Sequence, residues 1–297
     1  MAYHIGMLLR DRYGYKLVNV QVPHSSNAWD IFTIPSPDHH LPIDNLCNSA
    51  TKADILICNP SFSSYGLSFS FPGKSICYVQ GLNTFDILDP GFSVYVAASR
   101  PVANFLENRY ELETPVISPF VTICDTAKLK NWHDRPANIV LINLKGTSSL
   151  HEKINTHILS ELRQRYPDVI FQNLFDQKLP HQTLYERMGA HRYLLTLSLI
   201  EGFGLIPLEA MASGMTVAGF DGMGGRDYMH RGTNCLTAPY NDLEQTIELA
   251  SLMLTDDRLA HTLAINGLET AKQFTREKFE ERWSALLAEF LGQAGGN

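Results

Sequence analysis

Apolar residues gather in short unbroken runs: DILIC (54–58), SICYV (75–79), VYVAA (94–98), NIVLIN (138–143), DVIFQ (168–172), YLLTLS (193–198) and MTVAG (215–219). Each is continuous in hydrophobicity rather than alternating, the pattern of a strand covered on both faces. Most are separated by stretches with apolar residues at three- and four-residue intervals, which predict helices over 101–109, 148–165, 181–189, 206–213, 242–254, 257–272 and 276–292. Strands alternating with helices mean right-handed βαβ units and parallel sheets, so the expected fold class is α/β.

At 297 residues the chain exceeds the usual span of one hydrophobic core, which predicts two domains. The segment 115–138 holds Pro115, Pro119 and Pro136 in a mixed composition and is the candidate joint. With the boundary near 125, the expected domains are 1–125 and 126–275, followed by a closing helix over 276–297. That helix carries an apolar stripe of Phe279, Trp283, Leu286, Leu287, Phe290 and Leu291. Periodicity leaves open whether it packs on its own domain or returns to the first.

Composition narrows the function classes. Hydrophobic residues are 44% and charged ones 19%, an ordinary globular balance. A net charge of −7 without a basic run argues against nucleic acid as a partner and limits membrane association to the peripheral kind. No stretch approaches the roughly 18 apolar residues of a spanning helix. The start MAYHIGMLLRDRYGYK interrupts its apolar run with charge, so no signal peptide is read and a cytoplasmic location is expected. Cys47, Cys58, Cys77, Cys124 and Cys235 form no CxxC pair, so neither a zinc site nor a disulfide frame is indicated, and Cys58 and Cys77 read as core thiols. No HExxH or HxxxH spacing and no Asp-x-Asp occurs; neither a metal nor a cofactor is expected.

The stretch that carries chemistry is EGFGLIPLEAM, Glu201 to Met211. It follows the buried run YLLTLS, and in an open parallel sheet ligands sit beyond the carboxyl ends of strands. Gly202 and Gly204 remove side chains there, so a ligand can approach the backbone closely. Pro207 suits the first helical position, which would aim unpaired N–H groups of residues 203–206 at an anion such as a diphosphate. Glu209 would then fall in the first helical turn, where a carboxylate also complements the macrodipole without any ligand. Glu201 and Glu209 would bracket one small volume and accept hydrogen bonds from hydroxyl groups. A nucleotide sugar offers both a diphosphate and hydroxyls. A second glycine cluster, GFDGMGGRDY from Gly219, follows a strand and precedes a short helix; Gly224 and Gly225 there make either a phosphate or base rest or a plain tight turn.

The segment MGAHRYLLTLSLIEGFGLIPLEAMASGMTVAGFDGMGG resembles the signature of the retaining glycosyltransferases of family four, from about Asn138 to Phe274. The resemblance implies the GT-B fold, with two Rossmann-like domains facing a central cleft, a nucleotide-sugar donor of UDP or GDP type held by the second, and no metal ion. It implies that Glu201 opens the E-x7-E motif near the reacting centre and that Glu209 closes it on the ribose hydroxyls. Gly202, Phe203 and Gly204 would offer backbone amides, and Leu205 would line the same turn. Lys145 in INLKGTSSL matches the family's KG, where a lysine contacts the diphosphate; an ammonium there stabilises the charge that builds on the leaving group.

The chain also departs from the pattern. It has no arginine between Arg135 and Lys145, which leaves Arg226 as the candidate to reach the diphosphate, and GGRDYM offers Asp227 or Tyr228 where the family shows a glutamate. The family's opening strand and glycine-rich loop are absent from MAYHIGMLLRDRYGYKLVNVQVP, and Gln80 stands where many members place a histidine. Gln80 and Gly81 are the acceptor-side candidates. The expected reaction moves a hexose to a hydroxyl of a glycan, a lipid-linked or a small-molecule acceptor, with retention. The alternatives are a non-catalytic nucleotide-sugar-binding or partner subunit and a nucleotide-sugar epimerase. Oligomeric state is not legible.

Overall fold

Every strand pair among the described residues is parallel. The structure is a computed structural model that describes residues 1–22, 35–123, 129–144, 148–175 and 179–292. The chain divides into two units, Met1–Pro119 with Glu277–Asn297, and Phe120–Arg276. The boundary expected near 125 lies outside the described residues.

The first unit runs α1 (Ala2–Tyr13), β1 (Val18–Gln21), β2 (His39–Pro42), α2 (Leu46–Ser49), β3 (Ile55–Cys58), α3 (Leu67–Ser70), β4 (Lys74–Val79), β5 (Val94–Ala97) and α4 (Arg100–Tyr110). Its main sheet has the order β3-β4-β5, and β1 pairs with β2 apart from it. The continuous hydrophobicity of SICYV is explained by its central place: Ile76, Cys77, Tyr78 and Val79 are all fully buried. Helix α4 opens on Ser99, whose hydroxyl accepts from the Val102 amide at 3.2 Å, an N-cap that satisfies one orphan donor.

The second unit continues with β6 (Ile139–Asn143), α5 (Ser149–Arg165), β7 (Ile170–Asn173), α6 (His181–Gly189), β8 (Tyr193–Thr196), α7 (Leu205–Ala212), β9 (Thr216–Phe220), β10 (Leu236–Ala238), α8 (Leu243–Thr255) and α9 (Asp257–Ala271). Its sheet order is β10-β9-β8-β6-β7. The core gathers Val140, Ile142, Tyr193 and Leu195 from the strands with Ile158, Leu162, Ile247 and Leu263 from the helices. Arg135, 4% exposed, donates to backbone carbonyls: its Nη1 reaches Ser213 and Gly214 O at 3.0 Å and His191 O at 3.1 Å. It is thus structural, tying the turn after α7 to the start of β6.

In this order the chain leaves β6 for β7 on one side and then returns to β8 on the other. At such a reversal the loops after the two adjacent strands diverge and leave a crevice at their carboxyl ends. The loop after β8 contains the start of the EGFGLIPLEAM segment, through Gly204; the loop after β6 includes 145–147, outside the described residues.

The last helix, α10 (Arg276–Gly292), belongs to the first unit. Trp283 is fully buried and meets Tyr78 of β4 edge to face at 5.2 Å. Lys74 Nζ donates to Phe290 O at 2.6 Å and sits 4.9 Å from that ring's centre. Arg12 donates to Ser284 Oγ at 2.6 Å. Trp283→Ala removes a large aromatic from this contact, so it should lower the unfolding free energy by about 3–5 kcal/mol, read from urea denaturation. A loss below about 1 kcal/mol, the scale of an ordinary surface change, would show that the helix does not hold the unit together.

Candidate functional site

Beyond β8 the chain runs from Leu197 to Gly204 before α7 begins. The Leu197 amide donates to Asn143 O at the end of β6, 3.1 Å away, so this loop starts at the β6–β8 reversal. Glu201 is then pinned through its backbone: its N–H donates to Gly222 O at 2.7 Å, and its carbonyl accepts from Gly224 N at 3.1 Å. Between those two partners, Gly224 N donates to Gly222 O at 2.9 Å. This closes a tight turn on Met223, whose φ of 67° and ψ of −57° are those of a rare, strained γ-turn. The Asp221 carboxylate accepts from the Met223 amide at 2.8 Å and holds the turn.

The glycines here allow backbone to lie on backbone. A Cβ at Gly224 would stand 2.4 Å from the Gly202 carbonyl and 2.5 Å from Phe203 N. At Gly222 it would stand 3.1 Å from Glu201 Cγ. Gly202, Phe203, Gly204 and Gly224 are therefore brought together with Glu201. The Glu201 carboxylate is half-buried and accepts from Ser198 Oγ at 3.0 Å.

Helix α7 begins earlier than its sequence implies. Gly204, at φ 81°, is the N-cap and Leu205 the first helical residue, so Pro207 is the third position rather than the first. The proline is tolerated because an amide there has no carbonyl partner within the helix anyway. The amides of Leu205 and Ile206 keep that orphan character, while Pro207 has none to offer. Glu209 is consequently the fifth helical residue, with no acidic residue in the first turn. The macrodipole, whose effect fades beyond that turn, does not explain it.

Glu209 is only 6% exposed, and a buried carboxylate needs a partner. It has one: His181, the first residue of α6, places Nε2 3.0 Å from Glu209 Oε1. Sequence reasoning passed over His181, because no spacing links positions 181 and 209; only the sheet order joins α6 to α7.

Tyr228, one of the two alternatives at this position, meets the loop, its hydroxyl donating to the Gly204 carbonyl. Tyr228 is fully buried and packs with Phe203 at 5.3 Å and Phe274 at 5.8 Å. Burial first, and then the negative charges of Glu201 and Glu209 among others, push its phenol well above the usual tyrosine range. Both carboxylates thus act on one neutral phenol. The Phe203 ring, 3% exposed, lies in this aromatic cluster, so only its backbone is open to a ligand role.

Arg226 is committed locally, its Nε 3.1 Å from Asp221 Oδ2. Gly225 is buried, and a Cβ there would stand 2.7 Å from Met229 Sδ. Lys145 lies outside the described residues. Gln80 and Gly81 belong to the first unit, directly after β4; Gln80 Nε2 is buried without a hydrogen-bond partner, and a Cβ on Gly81 would stand 2.6 Å from the Thr84 methyl. Among the described residues no group of three or more His, Cys, Asp or Glu is placed to hold a metal ion, and no helix is long and apolar enough to cross a membrane.

Residues 172–270, about a third of the chain, match the family described as Glycosyl transferases group 1. A search of curated proteins by sequence finds no match. Among solved structures, a sucrose-phosphate synthase from Thermosynechococcus elongatus superposes with a TM-score of 0.68 at 15% identity, over 98% of this chain and 92% of that one. HepE from Anabaena, in complex with UDP-glucose, gives 0.60 at 16% identity over 80% and 79%. A mutant of S. aureus TarM, in complex with Fondaparinux, alpha-GlcNAc-glycerol and UDP, gives 0.61 at 16% identity over 80% of this chain, which spans 55% of that protein. The chain has the GT-B fold, and the region similar to the Glycosyl transferases group 1 family contains both Glu201 and Glu209.

Proposed function

We propose that the protein transfers a hexose from a UDP- or GDP-type donor to an acceptor hydroxyl, retaining the anomeric configuration and using no metal ion, as the retaining glycosyltransferases of family four do. The observation that carries this reading is Glu201 on a side-chain-poor loop at the carboxyl end of β8, beside the β6–β8 reversal, with Glu209 on the helix that follows. The similarity to the group 1 family and to a UDP-glucose complex supports it.

In this reading the ribose hydroxyls donate to Glu209. The orphan amides of Leu205 and Ile206, with backbone of Gly202, Phe203 and Gly204, face the diphosphate. Glu201 lies by the sugar, and Lys145 supplies a positive charge to the leaving group. Charge grows on the diphosphate as the bond to the anomeric carbon breaks, so fixed donors there favour the transition state over the ground state. The acceptor oxygen attacks the same face, and its proton passes to the departing phosphate oxygen. The acceptor, a glycan, a lipid-linked or a small molecule, is sought on the first unit near Gln80 and Gly81.

Gln80 favours a second reading. A carboxamide is not a base, so a nucleotide-sugar-binding subunit without turnover also fits that position.

A hydrogen bond to a charged group is worth about 1.5–3 kcal/mol, so Glu209→Ala should weaken nucleotide binding roughly 10- to 150-fold by calorimetry. Unchanged affinity in a folded variant removes Glu209 from the site. Glu201→Gln should depress turnover more than affinity; a fully active variant refutes its role. With labelled UDP- and GDP-sugars and an acceptor panel, proton NMR of the product should show the donor's anomeric configuration, and chelator should leave the rate unchanged. Binding without product under all conditions establishes the subunit reading instead.

A further inference from the structure

We propose that His181 is a positioning residue of the donor site, which fixes the Glu209 carboxylate so that it reads the vicinal hydroxyls of a nucleotide ribose. This rests on the donor-site reading above and goes beyond it, since nothing in the E-x7-E pattern points to position 181.

The contact with His181 is the one hydrogen bond that the Glu209 carboxylate makes to the described residues, at 3.0 Å through Oε1. An ionised carboxylate only accepts, so Nε2 carries the proton. The imidazole is itself held. His181 follows Pro180 at the start of α6, and its ring stands edge-on to Tyr185 at 4.7 Å. The Tyr185 hydroxyl in turn accepts the Thr122 amide at 3.2 Å. Pinning Oε1 sets the plane of the carboxylate, and Oε2 then faces one direction instead of sweeping through rotamers. A group ordered before the ligand arrives loses less entropy on binding. The His181 side chain is 28% exposed against 8% for the buried Glu209, so the pair reaches the surface through its imidazole.

The test is calorimetry of UDP and GDP, and of their 2′,3′-dideoxy analogues, on the full chain, His181→Ala and His181→Gln. Losing one charge-assisted hydrogen bond should weaken binding of the ribose nucleotide that the chain prefers by about tenfold in His181→Ala. His181→Gln, which keeps an N–H donor, should recover most of that. The dideoxy analogue, having no hydroxyls for Glu209 to read, should bind the chain and His181→Ala alike. Equal affinity of chain and His181→Ala for the ribose nucleotide overturns the proposal. So does an equal deficit for both nucleotides, which marks His181 as a support of the fold alone. If the unsubstituted chain binds neither UDP nor GDP, the donor-site reading itself fails, an outcome distinct from both.

Discussion

The site depends on one steric constraint: two loops after neighbouring parallel strands touch through their main chains. Gly224 lies against the Gly202 carbonyl at a distance where any Cβ would overlap it. Because the loops meet at backbone range, Glu201 can be held from both sides, by Gly222 and by Gly224. A side chain at either glycine would push the β9 loop away and leave the acidic residue on an unsupported turn. The strain at Met223 is a consequence of the same closeness. Two bonds spanning a single residue leave that residue no ordinary backbone conformation.

What stiffens this contact is an aromatic base that the ligand chemistry does not require. Phe203, Tyr228 and Phe274 form a closed set of ring contacts between 5.3 and 5.8 Å. Tyr228 binds the Gly204 carbonyl, and Phe274 is tied through its own carbonyl to the Val121 amide at 2.9 Å. The N-cap of α7 is thus fixed from below, although its own residue is a glycine with no capping side chain. Asn234 extends the support, donating to the Tyr228 carbonyl at 2.7 Å and to Thr270 at 2.8 Å. A loop with so few side chains can be rigid only if its neighbours supply the rigidity.

This division explains what the sequence discloses. Strands buried on both faces, such as β4 and β8, announce themselves as apolar runs, and helices α4 to α10 follow from periodicity with a serine or aspartate at several starts. Helix α1 is hidden because it starts on Met1 without a side-chain cap and contains Gly6, whose absent Cβ lets it lie against Leu17. Strands β1 and β2 read VNVQ and HHLP, too polar or too proline-bound to stand out. Within the site, the acidic pair and the glycines are legible because their spacing is local. His181, the contact of Tyr228 with the loop and the start of α7 are not, since each depends on a contact between segments that the sheet order alone brings together. Pro207 misleads for a physical reason: the first three helical positions are equivalent as far as a missing amide is concerned.

Electrostatics gives the arrangement its direction. Glu201 and Glu209 repel a diphosphate, so a donor could settle here only with its hydroxyls on the acidic residues and its phosphates elsewhere. The first-turn amides of α7 lie between the two carboxylates in sequence, and they carry the positive end of the helix. Arg226, the basic residue nearest these loops in the chain, is paired with Asp221, so in this reading the first-turn amides are the fixed donors, with Lys145 and Arg226 as the candidate cations. In this reading a molecule with one doubly charged centre flanked by two polyhydroxyl ends matches that alternation, whereas a uniformly anionic chain would set phosphates against the carboxylates. Burial keeps the Tyr228 phenol neutral, so it adds no third negative charge beside the carboxylates. On the proposed reading, the pattern that would favour a nucleotide sugar would disfavour nucleic acid, for a reason more specific than the net charge of −7.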